Sequence, residues 1–158
     1  MNYLKLLLIV VLFTVLSACD TENFQDLSTQ ESELFRLINA HREKQGLSTL
    51  KLNEYMNIEA REHSVKMGEG ILTGHVGREE RARRITKEVT NGEVEETIAY
   101  NQITASEVIS NWTVGNLRYK AIIEGDYELA GVGVYQNQEN TFYYTLLVLK
   151  PLDNLVNN

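Results

Sequence analysis

The sequence predicts an α+β domain in which helices pack on an antiparallel sheet. Three observations predict it. Apolar residues recur at helical spacing through residues 29–67, alternating runs occupy residues 127–136 and 141–150, and the connections between elements are short. Helices come first and strands last, and no internal repeat is visible.

The 158 residues begin with a stretch that reads as a signal peptide. Residues 1–18 hold one basic residue, Lys5, then the apolar run 6–16, then Ser17 and Ala18 ahead of Cys19, the only cysteine. The run is shorter than the roughly 18 apolar residues a spanning helix needs, and small residues follow it where a peptidase must fit. Leu16-Ser17-Ala18-Cys19 looks like the lipobox of bacterial lipoproteins, in which the thiol is acylated and becomes the lipidated N-terminus. The expected product is an exported protein, held by lipid on Cys19 at the extracytoplasmic face of a bacterial membrane or at the cell surface.

Without the leader, 14 Lys and Arg stand against 22 Asp and Glu, a formal charge of −8 (14 minus 22). Nucleic acid is therefore not an expected partner. The acidity also disfavours adhesion to an anionic lipid surface, so the lipid itself must supply the attachment. With Cys19 modified no disulfide forms, and the fold rests on its core. The expected organisation is signal peptide 1–18, lipidated tether 19–30, one domain over 31–152 and a C-terminal tail 153–158.

Ser28 and Glu31 have capping-box spacing, and Leu34, Leu37, Ile38 and His41 follow at helical spacing until Gly46, which predicts a helix over 29–45. After an extended stretch 47–52, Asn53 can cap a second helix with Met56, Ala60, His63 and Met67 on one face, ended by Gly68 and Gly70. Residues 71–77 form a loop with His75 between glycines, and 78–87 a short charged helix. Val94, Glu96, Ile98 and Tyr100 alternate with Glu95, Thr97 and Ala99, a strand pattern that puts Glu96 on the more apolar face, where a carboxylate wants a partner. Thr104 and Glu107 repeat the capping box before a helix carrying Val108, Ile109 and Trp112. The two final strands form a hairpin, in which Gly131 and Gly133 mark either a close approach of another backbone or a weak edge strand.

Several pieces recur in one order: Leu37-Ile38-Asn39 with Arg42 and Gly46-Leu47, Ala60 with His63-Ser64 and Met67, Gly74-His75, Glu96 with Ile98-Ala99, Trp112, and Gly131-Val132-Gly133-Val134. Together they resemble the CAP superfamily of cysteine-rich secretory proteins, antigen 5 and pathogenesis-related proteins, in its bacterial, disulfide-free branch. The resemblance spans roughly residues 31–150. It implies an α-β-α sandwich with a central antiparallel sheet, and a surface cleft where two histidines and acidic residues can hold a divalent metal, zinc or calcium. His75 matches the first family histidine, and Glu96 the glutamate of the Gly-Glu-Asn-Ile stretch. These two are the implied metal ligands.

The second family histidine is missing. Counting from Trp112 places Arg118 in its position, whereas counting back from Ile123 to Tyr127 places Tyr119 there. An arginine would oppose a cation and could pair with Glu96. A tyrosine, with a pKa near ~10, is a poor zinc ligand at neutral pH.

His63 reads as a packing residue donating to backbone, and His41 carries no chemistry. Glu96 is either a cleft carboxylate or the balance of an arginine in 78–84. The cluster Arg78, Arg81, Arg83, Arg84 and Lys87, interleaved with Glu79 and Glu80, reads as a solvated helix face. No thiol remains for catalysis, and Ser64 beside His63 has no visible acid partner. The leading expectation is a binding module with a cleft lined by His75, Glu96, Arg118 and Tyr119, taking a small molecule, lipid or protein. The alternative is a metal-assisted hydrolase of peptide or cell-wall material, and a third is a scaffold with a disused cleft.

Overall fold

A computed structural model describes residues 28–152. The signal peptide, the lipobox with Cys19, the tether as far as residue 27 and the tail 153–158 lie outside the described residues. The elements are α1 (Thr29–Lys44), β1 (Lys51–Leu52), α2 (Glu54–Gly68), α3 (Arg78–Glu88), β2 (Gly92–Tyr100), α4 (Ala105–Ser110), a π turn (Asn111–Gly115), α5 (Leu117–Ile123), β3 (Leu129–Gln136) and β4 (Phe142–Pro151). The first turn of α1 thus falls in the stretch read as tether.

Local sequence chemistry sets the helix starts. Ser28 and Glu31 form a reciprocal capping box, as do Thr104 and Glu107, and the Asn53 side chain accepts from Met56 N–H. Glu31 does more than cap. Its buried carboxylate also takes both guanidinium arms of Arg61 at 2.8 Å and the Val134 N–H at 3.1 Å, which locks the start of α1 to α2 and to β3. Burial opposes its ionisation, but Arg61 and the N–H donors outweigh burial and hold the carboxyl below the usual range.

The sheet order is β1-β3-β4-β2. The hairpin β3-β4 and the β4-β2 pair are antiparallel, while the two-residue β1 runs parallel to β3 at the other edge. Alternation along β4 divides the core between two faces. Tyr144, Leu146 and Val148 meet Leu34 and Ile38 of α1, Val108 of α4, Trp112 and Ile123, whereas Leu147 and Leu149 meet Met56 and Ala60 of α2 and Ile85 of α3. The result is the three-layer α-β-α sandwich.

Gly131 and Gly133 lie beyond the two residues of β3 that β1 covers, and on that side the Val132 and Val134 N–H groups donate to the Asn57 and Glu31 side chains. A Cβ on either glycine would come within 2.2 Å of the α2 backbone, at Met56 and at Ala60 respectively, so α2 crosses β3 in direct backbone contact. Trp112 does not continue α4. The chain widens into the π turn, where the Thr113 hydroxyl donates to the Ile109 carbonyl at 2.7 Å in competition with the helix ladder. That turn brings the fully buried indole onto the sheet, its N–H donating to Ile98 O at 2.9 Å.

Candidate functional site

His75 stands in the loop between α2 and α3, flanked by Gly74 (φ 56°) and Gly77 (φ 79°), two left-handed positions that suit glycine. The loop is pinned from below. His63 of α2 lies 3.0 Å from the Gly74 carbonyl, and Arg81 Nη1 of α3 donates to Val76 O at 3.0 Å.

Glu96 of β2 faces the same layer, opposite Leu147 across the sheet. Its side chain is fully buried. Arg81 holds it with two bonds, Nε to Oε2 at 2.8 Å and Nη2 to Oε1 at 3.0 Å. The ionised carboxylate is acceptor-only, so the His75 Nδ1 facing Oε1 at 2.8 Å must carry a proton. Nε2 lies 2.8 Å from the Tyr119 hydroxyl, from which it accepts when Nδ1 carries the ring's single proton, and the rings stand edge-on at 5.9 Å. Burial above all pushes the Tyr119 phenol up, and the Glu96 charge adds to this against a backbone hydrogen bond at Ile98 and the Arg118 charge. Tyr119 therefore stays a hydroxyl that can donate.

His63 completes the floor. Burial pushes its pKa down to about 4, with Arg81 and His75 acting in the same sense against Glu96 and Gly74. It is neutral at pH 7, and its Nε2 lies 3.0 Å from the Gly74 carbonyl and 3.2 Å from Arg81 Nη2, donating to the first in one tautomer and accepting from the second in the other. Its Nδ1 is buried without a partner.

The arrangement is a relay from Arg81 through Glu96 and His75 to Tyr119. Its inner members are sealed, and the His75 side chain retains 34 % exposure. His75 lines a hollow of about 480 Å³ beside Arg78, Glu79 and Arg83. Tyr119 lines another of about 400 Å³ formed with Ile98, Tyr100, Gln102 and Asn111.

His75, Glu96 and Tyr119 come together as expected, but Arg118 does not join them. The Asn116 side chain caps α5 by accepting from both Arg118 N–H and Tyr119 N–H. In the helix that follows, Tyr119 turns toward His75 and Arg118 is exposed. The arginine paired with Glu96 is Arg81. The reading of 78–87 as a solvated face is corrected accordingly: Arg81 is buried, Arg84 grips Glu59 with two 2.7 Å bonds, and Arg78 meets Glu95 at 2.6 Å. One sequence signal pointed there. Arg81 and Ile85, four apart, are the two buried residues of α3 and share its inner face.

The donors do not fit a divalent ion. Both Glu96 oxygens and both His75 nitrogens are engaged, the Arg81 guanidinium occupies the place of a cation, and among the described residues no group of three or more His, Cys, Asp or Glu is placed to hold a metal.

Residues 35–149 match the model of the cysteine-rich secretory protein family. The chain belongs to the CAP family. Solved structures agree on this fold. An outer surface protein of Borrelia burgdorferi superposes with a TM-score of 0.70 at 20% identity, covering 80% of this chain and 96% of that one. An extracellular SCP-domain protein of Bacillus anthracis gives 0.64 at 19% identity, with 77% of this chain covered but 40% of the other. The venom allergen-like protein 4 of Schistosoma mansoni gives 0.56 at 12% identity, covering 81% and 92%. No curated protein matches the sequence. Among the described residues no helix is long and apolar enough to cross a membrane. Within this CAP domain, Tyr119 and not Arg118 stands against His75.

Proposed function

We propose that this CAP domain is an exported, lipid-anchored binding module that recognises its ligand at the exposed edge of His75 and Tyr119. The observation that carries this reading is the closed relay beneath that edge. Glu96 and Arg81 neutralise one another out of water, and Glu96 fixes the proton on His75 Nδ1, so the site presents a preset imidazole and phenol between two hollows. Such a pair offers neutral hydrogen bonding and ring faces, which suits a polar uncharged group on a small molecule, a lipid or a protein segment. The anchor reading rests on the lipobox and on the lone cysteine.

Metal-assisted hydrolysis of peptide or cell-wall material remains the rival. For His75 and Glu96 to become ligands, the Tyr119 hydroxyl must leave Nε2 and Arg81 must leave the carboxylate. Calorimetric titration of residues 20–158 with zinc and with calcium, beside His75→Ala, separates the two readings. The binding module gives no metal heat in either protein. Micromolar binding that disappears in the variant would overturn it and favour the hydrolase.

A further inference from the structure

Beyond the His75 edge, four exposed large apolar side chains fall in two short stretches of sequence around a pair of adjoining hollows. Tyr100, Ile103, Val114 and Leu117 are 57%, 69%, 80% and 82% exposed. Ile103 and Val114 line one hollow of about 620 Å³, which shares Asn101, Gln102 and Asn111 with the hollow that Tyr100 lines. Leu117 follows two residues after Gly115, which lines the first hollow. No lysine or arginine lines either hollow. Glu107 is the one ionisable carboxylate lining either hollow, and it is occupied in accepting Ile103 N–H at 2.8 Å and Thr104 N–H at 3.2 Å. An apolar surface of this kind calls for a covering partner.

The start of the domain lies at the same end of the sheet. Glu31 in the first turn of α1 binds the Val134 N–H, Val134 pairs with Tyr144, Tyr144 pairs with Ala99, and the Tyr144 hydroxyl donates to Gln102 O at 3.1 Å. Two strand spacings of about 4.8 Å separate Val134 from Ala99, so the point where Glu31 fastens α1 to β3 lies roughly 10 Å from the strand end that leads into the patch. Nine residues of sequence, 19–27, precede Ser28, and fully extended they reach at most about 30 Å. Lipid on Cys19 would therefore attach on the side of the domain where this end lies, which makes the patch the nearer of the two ends to the point of attachment.

We infer that Tyr100, Ile103, Val114 and Leu117 form a seating face that rests in the interfacial layer of the membrane to which the chain is tethered. The inference depends on the lipid-anchor part of the proposed function. Tyrosine with aliphatic neighbours suits the boundary between headgroups and acyl chains, and the exposed Arg118 beside Leu117 stands where a cation can meet headgroup phosphates. Each contact is weak alone, but the tether makes it intramolecular and raises its effective concentration. Seating would leave the far end, with residues 45–51 and the start of β2, facing away from the lipid.

The test uses the mature chain from Cys19 onward, coupled through that thiol to a maleimide lipid in phosphatidylcholine vesicles with brominated acyl chains. Ile103→Trp and Thr49→Trp place an indole at either end of the sheet, and Trp112, fully buried, is a background common to both. Bromine quenching and a blue shift of the indole at 103, with neither at 49, is the expected result. Equal quenching at the two sites, or none at either, overturns the inference, as does a concentration-dependent dimer in solution that Val114→Ser and Leu117→Ser disperse, since the face would then belong to a second copy. Mass spectrometry of Cys19 from an exporting cell tests the anchor separately, so either idea can fail without the other.

Discussion

Removing Arg81 is the sharpest perturbation of the relay. Glu96 is fully buried and Arg81 nearly so, and Arg81 supplies two of the three hydrogen bonds that the carboxylate receives. Arg81→Met keeps an unbranched chain beside Ile85 but leaves a buried charge with His75 alone, a loss of about 3–5 kcal/mol. Against a whole-domain stability of about 5–15 kcal/mol that is a large fraction. At about 1–3 kcal/mol per molar of urea, the unfolding midpoint should fall by about 2 M. Glu96→Leu alone strands the guanidinium and should cost a similar amount. The double variant removes both charges and should recover most of the loss, because the penalty of each single change lies in the unpaired partner. Urea titration of the four proteins followed by circular dichroism reads the cycle. Additive losses in the double variant, or an Arg81→Met cost under about 1 kcal/mol as for an exposed ion pair, would refute the view that a sealed ion pair supports His75.

His63 makes stability pH-dependent. Its folded pKa, about 4, lies below the ordinary histidine value of 6.5, so the unfolded chain binds more protons between them. Its contribution is fully present above pH 6.5 and is lost as pH falls toward 4, in total about 3 kcal/mol. Thermal melts of His63→Gln, which can still donate to Gly74, should show a shallower decline across that window. An unchanged decline would assign the acid sensitivity to other groups. Gly133→Ala sets a Cβ 2.2 Å from the backbone of Ala60 and Arg61, a contact that cannot be relieved by rotating a side chain. It should cost at least about 1–3 kcal/mol by thermal melting, and Gly46→Ala, with open space around its Cβ but a φ of 74°, should show backbone strain alone.

The starts of α1, α2 and α4 and the faces of the strands were determined by sequence alone, because their causes lie within a few residues. Ser28 with Glu31 and Thr104 with Glu107 cap across three residues, and alternation along 94–100 put Glu96 on the inner side of β2 without any knowledge of the sheet. The place of His75 was legible as well, since its flanking glycines and the family pattern are both local. Partners were not. Arg81 lies 15 residues from Glu96 and Tyr119 lies 44 from His75, and each pair meets only when α3 and α5 pack at the edge where β2 runs. Whether Arg118 or Tyr119 faced His75 turned on where α5 begins, set by Asn116 capping two successive N–H groups, a single residue step that rotates a helical side chain by about 100°. The capping spacing of Glu31 was visible, but its hold on Arg61 and Val134, 30 and 103 residues away, was not. Caps and alternation are local and survive in one dimension, whereas the partner of a buried charge is chosen by whatever the packed layers bring within about 3 Å.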